Sequence, residues 1–416
     1  MLVYNIGKVV TPLAKDRDDF SRPLFEQADA AVLIENGLIV EVNSSRHLQT
    51  SVSTDVPRYD AQGKLMLPGF IDCHTHPVFV GNRANEFFLR NRGASYQEIA
   101  ASGGGINTSA QKIAAATVEQ IVRESLPRFE SSLACGVTTI ECKSGYGLTW
   151  KGEEKLLLSL REIKKIVPQK MTMTFLAHVV PREWQERRNE YVQSIIDEMI
   201  PEAAQRKLAE CVDVFCEEGA FTKDESRKIL QAAKDEGMSV TIHANQFGHS
   251  GGAMLAAELG ARSADHLEHL DDEEIAAMRD KGVAAVALPA CVFFLNSIPY
   301  PPMRKIVDSG LRLALATDMN PGTSMTESIP LCMTIAAIYG KLSANELLWA
   351  VTFDPARILG VEGMVGSIEA GKAADFCLWN TPNAESISYA FGNTFADEVW
   401  IDGKPALVNE SVIARY

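Results

Sequence analysis

Five of the eight histidines in this chain fall where apolar runs end, and that placement is the first sign of chemistry. The run 65–71 stops abruptly in Asp72-Cys73-His74-Thr75-His76. If the run is a strand, residues two apart face the same side, so both imidazoles project together from its end. Alone, such a pair is more often a hydrogen-bonded couple than half of a metal site. Other run ends supply more. One is Ile242-His243-Ala244-Asn245-Gln246, another is Ala264-Asp265-His266, and a third is Ala316-Thr317-Asp318. His74, His76, His243 and Asp318 together offer three nitrogens and a carboxylate to one metal ion, a set that suits Zn or Fe and leaves room for a water. A metal held this way makes water nucleophilic near neutral pH. Asp318 can accept the water's proton, and His266 can hydrogen-bond to Asp318. Taken together, these residues point to metal-assisted hydrolysis.

Further polar residues are placed to meet a substrate. Arg83 and Arg90 follow the histidine pair, and an arginine there can clamp a carboxylate with two hydrogen bonds. For Arg90 a solvated surface charge is an equal reading. Tyr146 lies in Ser144-Gly145-Tyr146-Gly147, where glycines let backbone approach a ligand. His178 ends another apolar run and can polarise or orient a carbonyl. Asn320, Gly322 and Thr323 form a loop of donors just after Asp318. Glu86 and Asp265 read as structural partners.

The elements that must position these groups are legible as alternation. Strand-like runs occur at 66–73, 137–142, 171–176, 212–216, 239–243, 263–267, 283–288 and 311–317. Amphipathic stretches at 117–135, 153–167, 223–236 and 272–281 lie between them. Eight β–α units predict a (β/α)8 TIM barrel, whose functional groups gather at the strands' C-terminal ends. The connection 77–118 is long and carries Gly103-Gly104-Gly105, as lids and substrate loops often do. Both ends of the chain read as β, with hairpin turns at Asn36-Gly37 and Asp402-Gly403. Each end is too small to be stable alone. They predict one small β-sandwich domain built from both termini, residues 1–66 with 365–416, into which a barrel of residues 67–364 is inserted.

Composition sets the limits. The chain has 416 residues, 46% of them apolar, and a net charge of −14 with no long basic run. That balance argues against nucleic acid, and no stretch approaches the ~20 apolar residues of a membrane span. The N-terminus shows no signal-peptide pattern. Eight scattered cysteines, none in Cys-x-x-Cys, fit reduced core thiols in a cytoplasmic protein.

The segment 68–76 and the run ending in Asp318 resemble the amidohydrolase superfamily. Narrower marks are Arg83-Ala84-Asn85-Glu86, Tyr96-Gln97-Glu98-Ile99, Gly103-Gly104-Gly105-Ile106 and Lys143-Ser144-Gly145-Tyr146-Gly147. Asp213-Val214-Phe215-Cys216-Glu217 and Ser263-Ala264-Asp265-His266 are others. These resemble the branch that opens the ring of 4-imidazolone-5-propanoate to N-formimino-L-glutamate in histidine breakdown. The resemblance covers nearly the whole chain. It implies one metal per subunit on His74, His76, His243 and Asp318, and a ligand against Arg83, Tyr146, His178, Gln246, Asn320, Gly322 and Thr323. A homodimer is implied as well. Strand four ends Phe215-Cys216-Glu217-Glu218, without the lysine that two-metal relatives carry there.

The chain departs from that family in two places. Asn245 and Gln246 are amides where relatives often have an acid, so proton transfer falls to Asp318 and His266, with His178 stabilising the oxyanion. The stretch Thr174-Phe175-Leu176-Ala177-His178 is one residue shorter than usual. A rival reading on the same scaffold is a deaminase of a nitrogen heterocycle. Another is a non-catalytic barrel, which would be expected to have lost ligands.

Overall fold

The computed structural model describes residues 1–408 apart from 20, 95–97, 99–103 and 393–394. Tyr96, Gln97, Ile99 and Gly103 of the quoted motifs therefore lie outside the described residues.

Eight parallel strands form the barrel. In chain order they are Phe70–Asp72, Val137–Lys143, Lys170–Ala177, Cys211–Cys216, Ser239–Ala244, Ser263–His266, Ala284–Ala287 and Leu313–Leu315. The second strand is buried at every position, as expected of a strand covered by side chains within the barrel and by helices outside. The ring closes through a bridge between Thr75 and Met319. His76 N–H donates to the Met319 carbonyl at 2.8 Å, and Asp318 N–H donates to the His74 carbonyl at 3.1 Å. The backbone that closes the barrel thus belongs to the candidate metal ligands.

The outer helices begin and end on local signals. Val118–Ala134 starts on the Thr117 side chain, which accepts from Gln120 N–H. Lys223–Asp235 and Asp272–Lys281 start with reciprocal capping boxes, Thr222/Glu225 and Asp271/Glu274. The connection 77–118 is not bare loop. It carries helices Ala84–Asn91 and Ile106–Ala115, and these bring Arg83 and Ile106 to the mouth of the barrel.

The expected first strand, 66–73, is two strands. Leu65–Pro68 pairs with Phe376–Trp379 and Leu2–Thr11 in the terminal sheet, while Phe70–Asp72 pairs with the second barrel strand. The division falls at Gly69. Its N–H donates to Asp375, whereas the next N–H, on Phe70, donates to Gly136 of the barrel. A Cβ at position 69 would lie 2.1 Å from Thr138 Oγ1, so only glycine lets the chain cross here. The sequence hides this break because both halves are buried and therefore apolar.

The terminal sheet joins both ends of the chain. Its strands run Lys404–Val408, Glu398–Ile401, Phe376–Trp379, Leu65–Pro68, Leu2–Thr11, Phe25–Glu35 and Leu38–Ser44, with Arg58–Asp60 beside Leu2–Thr11. This is one mixed sheet that bends back until Leu38 bridges Ala373. It wraps its own core, which includes Val3, Ile6, Val32, Met66, Phe376 and Trp400. The two hairpins turn where expected, with positive φ at Asn36 and Gly37 and at Asp402 and Gly403. All eight cysteines are buried and free. Among the described residues no helix is long and apolar enough to cross a membrane.

Candidate metal centre and substrate cavity

The strand ends turn sharply to aim their polar residues inward. His266 and Asp318 have φ of +79° and +52°, unusual for residues with a Cβ. Such conformations cost of order 1–3 kcal/mol and persist where the surroundings over-determine them.

All four expected ligands come together, each nearly inaccessible to solvent. Asp318 Oδ1 lies 3.6 Å from His74 Nε2 and 3.3 Å from His76 Nε2. The His74 and His243 rings are 4.4 Å apart, centre to centre, and His76 and His243 are 5.5 Å apart. His74 Nε2 is buried with no hydrogen-bond partner, which marks an atom shaped for something other than protein. Charge tells the same story. Burial and Lys143 oppose a charged His74, but Asp265 and Asp318 outweigh them and raise its pKa to about 9. Burial holds His76 down to about 4 and His243 well below its usual value, so both rings are neutral, as a metal ligand must be. Asp318 stays ionised against its burial through His74 and His76. A divalent ion would displace the proton of His74 and meet three imidazole nitrogens and a carboxylate around the unpartnered Nε2, so the residues fit a metal.

Outside these candidate ligands stands a layer of which the sequence reading assigned only Asp265, as a structural partner. Asp265 Oδ2 is 2.6 Å from His74 Nδ1, and Asp213 Oδ2 is 3.0 Å from His243 Nδ1. Each carboxylate fixes its ring so that the other nitrogen faces the centre. Lys143 is buried between Asp213 and Glu141, 3.0 Å from each. These two acids outweigh its burial and hold the amine as ammonium. Glu141 also accepts from Thr75 N–H, between His74 and His76, at 3.2 Å. Asp72 braces the eighth strand through Thr317 N–H and Oγ1, at 3.1 and 2.6 Å. A sequence signal did exist: charged residues inside wholly apolar strands need buried partners. Asp213→Ala is expected to lower metal affinity about 10–100-fold. Competition with a chelator measures it, and unchanged affinity would show that His243 needs no such support.

His266 lines the cavity, its Nδ1 3.6 Å from Glu268 Oε1. Its ring lies within 4.8 Å of ligand atoms of His74 and His243, and of an Asp318 oxygen.

The cavity above the centre holds about 180 Å³. Every expected substrate residue lines it: Arg83, Tyr146, His178, Gln246, Asn320, Gly322 and Thr323. Their roles differ from expectation in several cases. The glycines around Tyr146 have a task within their own turn. Their turn wraps the buried Glu153 carboxylate, which accepts from Gly145, Gly147 and Leu148 N–H at 2.6–2.8 Å, and so presents Tyr146 to the cavity. Asn320 donates to Asp318 O and Thr323 Oγ1 and accepts from Gly322 and Thr323 N–H. Its hydrogen bonds build the loop rather than reach outward. His178 donates from Nδ1 to the Gly145 carbonyl at 3.1 Å. Burial lowers its pKa to about 3, so it is neutral and offers Nε2 as an acceptor. The expected donation to an oxyanion is therefore not open to it.

Of the two amides, only Gln246 faces the cavity; Asn245 is bound to Glu274 at 2.7 Å. Arg83 is held by Glu86 through Nε and Nη2, at 2.9 and 2.6 Å, and Glu86 also accepts from Gly105 N–H. Arg90 donates to the Gly322 carbonyl at 2.8 Å and secures the loop from behind. Sequence reasoning missed the apolar wall, which includes Ile106, Phe215 and Phe247, because nothing distinguishes those residues from core.

The amidohydrolase family profile matches residues 65–406, and the chain belongs to that family. Imidazolonepropionase of Geobacillus kaustophilus is 41% identical over 99% of this chain and 97% of its own length. The imidazolonepropionase of Myxococcus xanthus is 40% identical over 98% and 97%. In fold, the chain is similar to a 5-methylcytosine deaminase from Klebsiella pneumoniae, with a TM-score of 0.76 at 18% identity over 100% of this chain and 99% of that one. An adenosine deaminase from Xanthomonas campestris with bound zinc gives 0.73 at 20% identity, over 100% and 94%. At such identities the deaminases share the architecture alone.

Proposed function

We propose that the protein hydrolyses 4-imidazolone-5-propanoate to N-formimino-L-glutamate, a ring opening in histidine degradation. One observation carries this reading: the chain is about 40% identical, from end to end, to imidazolonepropionases. The deaminase alternative has only fold similarity at 18–20% identity behind it.

A Zn or Fe ion on His74, His76, His243 and Asp318 supplies the Lewis acidity that makes a water nucleophilic near neutral pH. The chain's own residues do the rest. Arg83 holds the propionate carboxylate, pre-aligned by Glu86. His178 accepts a ring N–H at Nε2, and Gln246 hydrogen-bonds the ring. Tyr146 and the 320–323 loop close around it. The water oxygen bonds to the ring carbonyl carbon while Asp318 takes a proton from it. The carbon–nitrogen bond then breaks, and Asp318, steadied by His266, delivers that proton to the leaving nitrogen. The apolar wall limits competing water and strengthens each polar contact.

Among the described residues, those lining the cavity all come from the barrel segment between 67 and 364. Eight free buried thiols suit the reducing cytoplasm. Ile298, Ile338, Tyr339 and Tyr389 are exposed on or near the helix Ile329–Gly340, and their apolar surface supports a homodimer.

The test is direct. Metal-loaded protein should remove the imidazolonepropionate absorbance without releasing ammonia. Ammonia release from a nitrogen heterocycle, with the imidazolone untouched, would favour the deaminase.

A further inference from the structure

One buried side chain beside the centre has no part in the chemistry above. Cys291 lies in the helix Pro289–Leu295 after the seventh barrel strand and has no exposed surface. Its sulfur, a ring nitrogen of His266 and a carboxylate oxygen of Asp318 all lie within 4.8 Å of one another. His266 Nδ1 stands 3.6 Å from Glu268 Oε1 and makes no hydrogen bond, so the ring is not tied down by one at that atom.

We propose that His266, Cys291 and Asp318 form a second metal site, for a thiophilic divalent ion, adjoining the four-residue centre and sharing Asp318 with it. The proposal rests on that centre. The two oxygens of Asp318 are directed differently. Oδ1 meets His74 and His76, whereas Oδ2 stands 3.5 Å from Thr323 Oγ1. One carboxylate can therefore serve two ions. Ligand atoms around a tetrahedral ion with bonds of about 2.0–2.3 Å lie roughly 3.3–3.8 Å apart, so a group spaced within 4.8 Å would close onto an ion by side-chain rotation. Sulfur with nitrogen favours a soft ion over magnesium or calcium. His266 and Asp318 both line the cavity, which gives such an ion its route in. Gln246 Nε2 is 3.7 Å from the Cys291 sulfur, so turning this amide would bring its oxygen to the same place. On binding, the thiol proton leaves to solvent. Occupancy withdraws both His266 and Asp318 from proton transfer, and the second ion is inhibitory.

The experiment titrates holoenzyme carrying one metal with Cd²⁺. It follows bound cadmium by elemental analysis, sulfur-to-cadmium charge-transfer absorbance in the ultraviolet, and turnover. One additional equivalent should bind, the absorbance should appear, and turnover should fall in step. Cys291→Ser should keep the first metal and its turnover. It should show no sulfur absorbance and should bind the additional equivalent about 10–100-fold more weakly. Cys291→Ala, with a thermal melt, covers the case in which serine is not accommodated. The proposal is overturned by no additional equivalent, by one without sulfur absorbance, or by unchanged affinity in both variants. Holoenzyme that holds no first metal would instead overturn the four-residue centre.

Discussion

His266→Ala is expected to keep its metal and lose about 10²–10⁴ in turnover, the range for a missing acid–base element. Three observations set this expectation. His266 faces the cavity, and one of its ring nitrogens lies within 4.8 Å of an Asp318 oxygen. Its backbone is held at φ +79°, in the left-handed turn that ends the sixth strand. Four other residues already suffice to hold one ion. Yet His266 also stands 5.3 Å from His243 and 5.7 Å from His74, ring centre to ring centre, so distance alone does not separate ligand from proton partner. Metal content separates them. If His266→Ala is purified without metal, His266 is a ligand. If metal and turnover are both intact, the proton travels by another route.

Arg83→Ala is expected to weaken substrate binding by about 2–5 kcal/mol, as for the loss of one partner in a desolvated charge pair. That is roughly 30-fold to several thousand-fold in KM, with a smaller change in kcat. Glu86 occupies Nε and Nη2, and a Cβ on Gly322 would lie 2.5 Å from Nη1, so glycine at 322 is what lets that nitrogen sit where it does. Because Glu86 already neutralises the guanidinium, the substrate carboxylate gains directed hydrogen bonds more than net charge. This places the expectation toward the lower end of the range. A substrate lacking the propionate should lose the same free energy with wild-type enzyme and nothing further with Arg83→Ala. A KM unchanged by the substitution would move the carboxylate elsewhere, and Arg90 is the next cation along the loop.

The sequence by itself determined the barrel, because its eight apolar runs and intervening amphipathic stretches each carry their own period. It also determined the four candidate ligands, since a polar residue at the end of a buried strand can only face the mouth of a barrel. Both glycine hairpins were legible because positive φ is a local demand that Asn-Gly and Asp-Gly meet. What depends on partners far along the chain was not legible. The run 65–71 looked continuous, and only the hydrogen bonds of Gly69 and Phe70 to two different sheets divide it. Asn320 and the Gly145 turn looked outward-facing until their bonds were found to close on their own loops. His178 looked like a donor until the Gly145 carbonyl fixed its tautomer. Asp213, Glu141 and Lys143 could be suspected as buried charges, but which ring each supports follows from packing across three strands. A residue's type and local period set what it can do. Which of its hydrogen-bonding atoms remain open for a metal or substrate is settled only when distant segments meet.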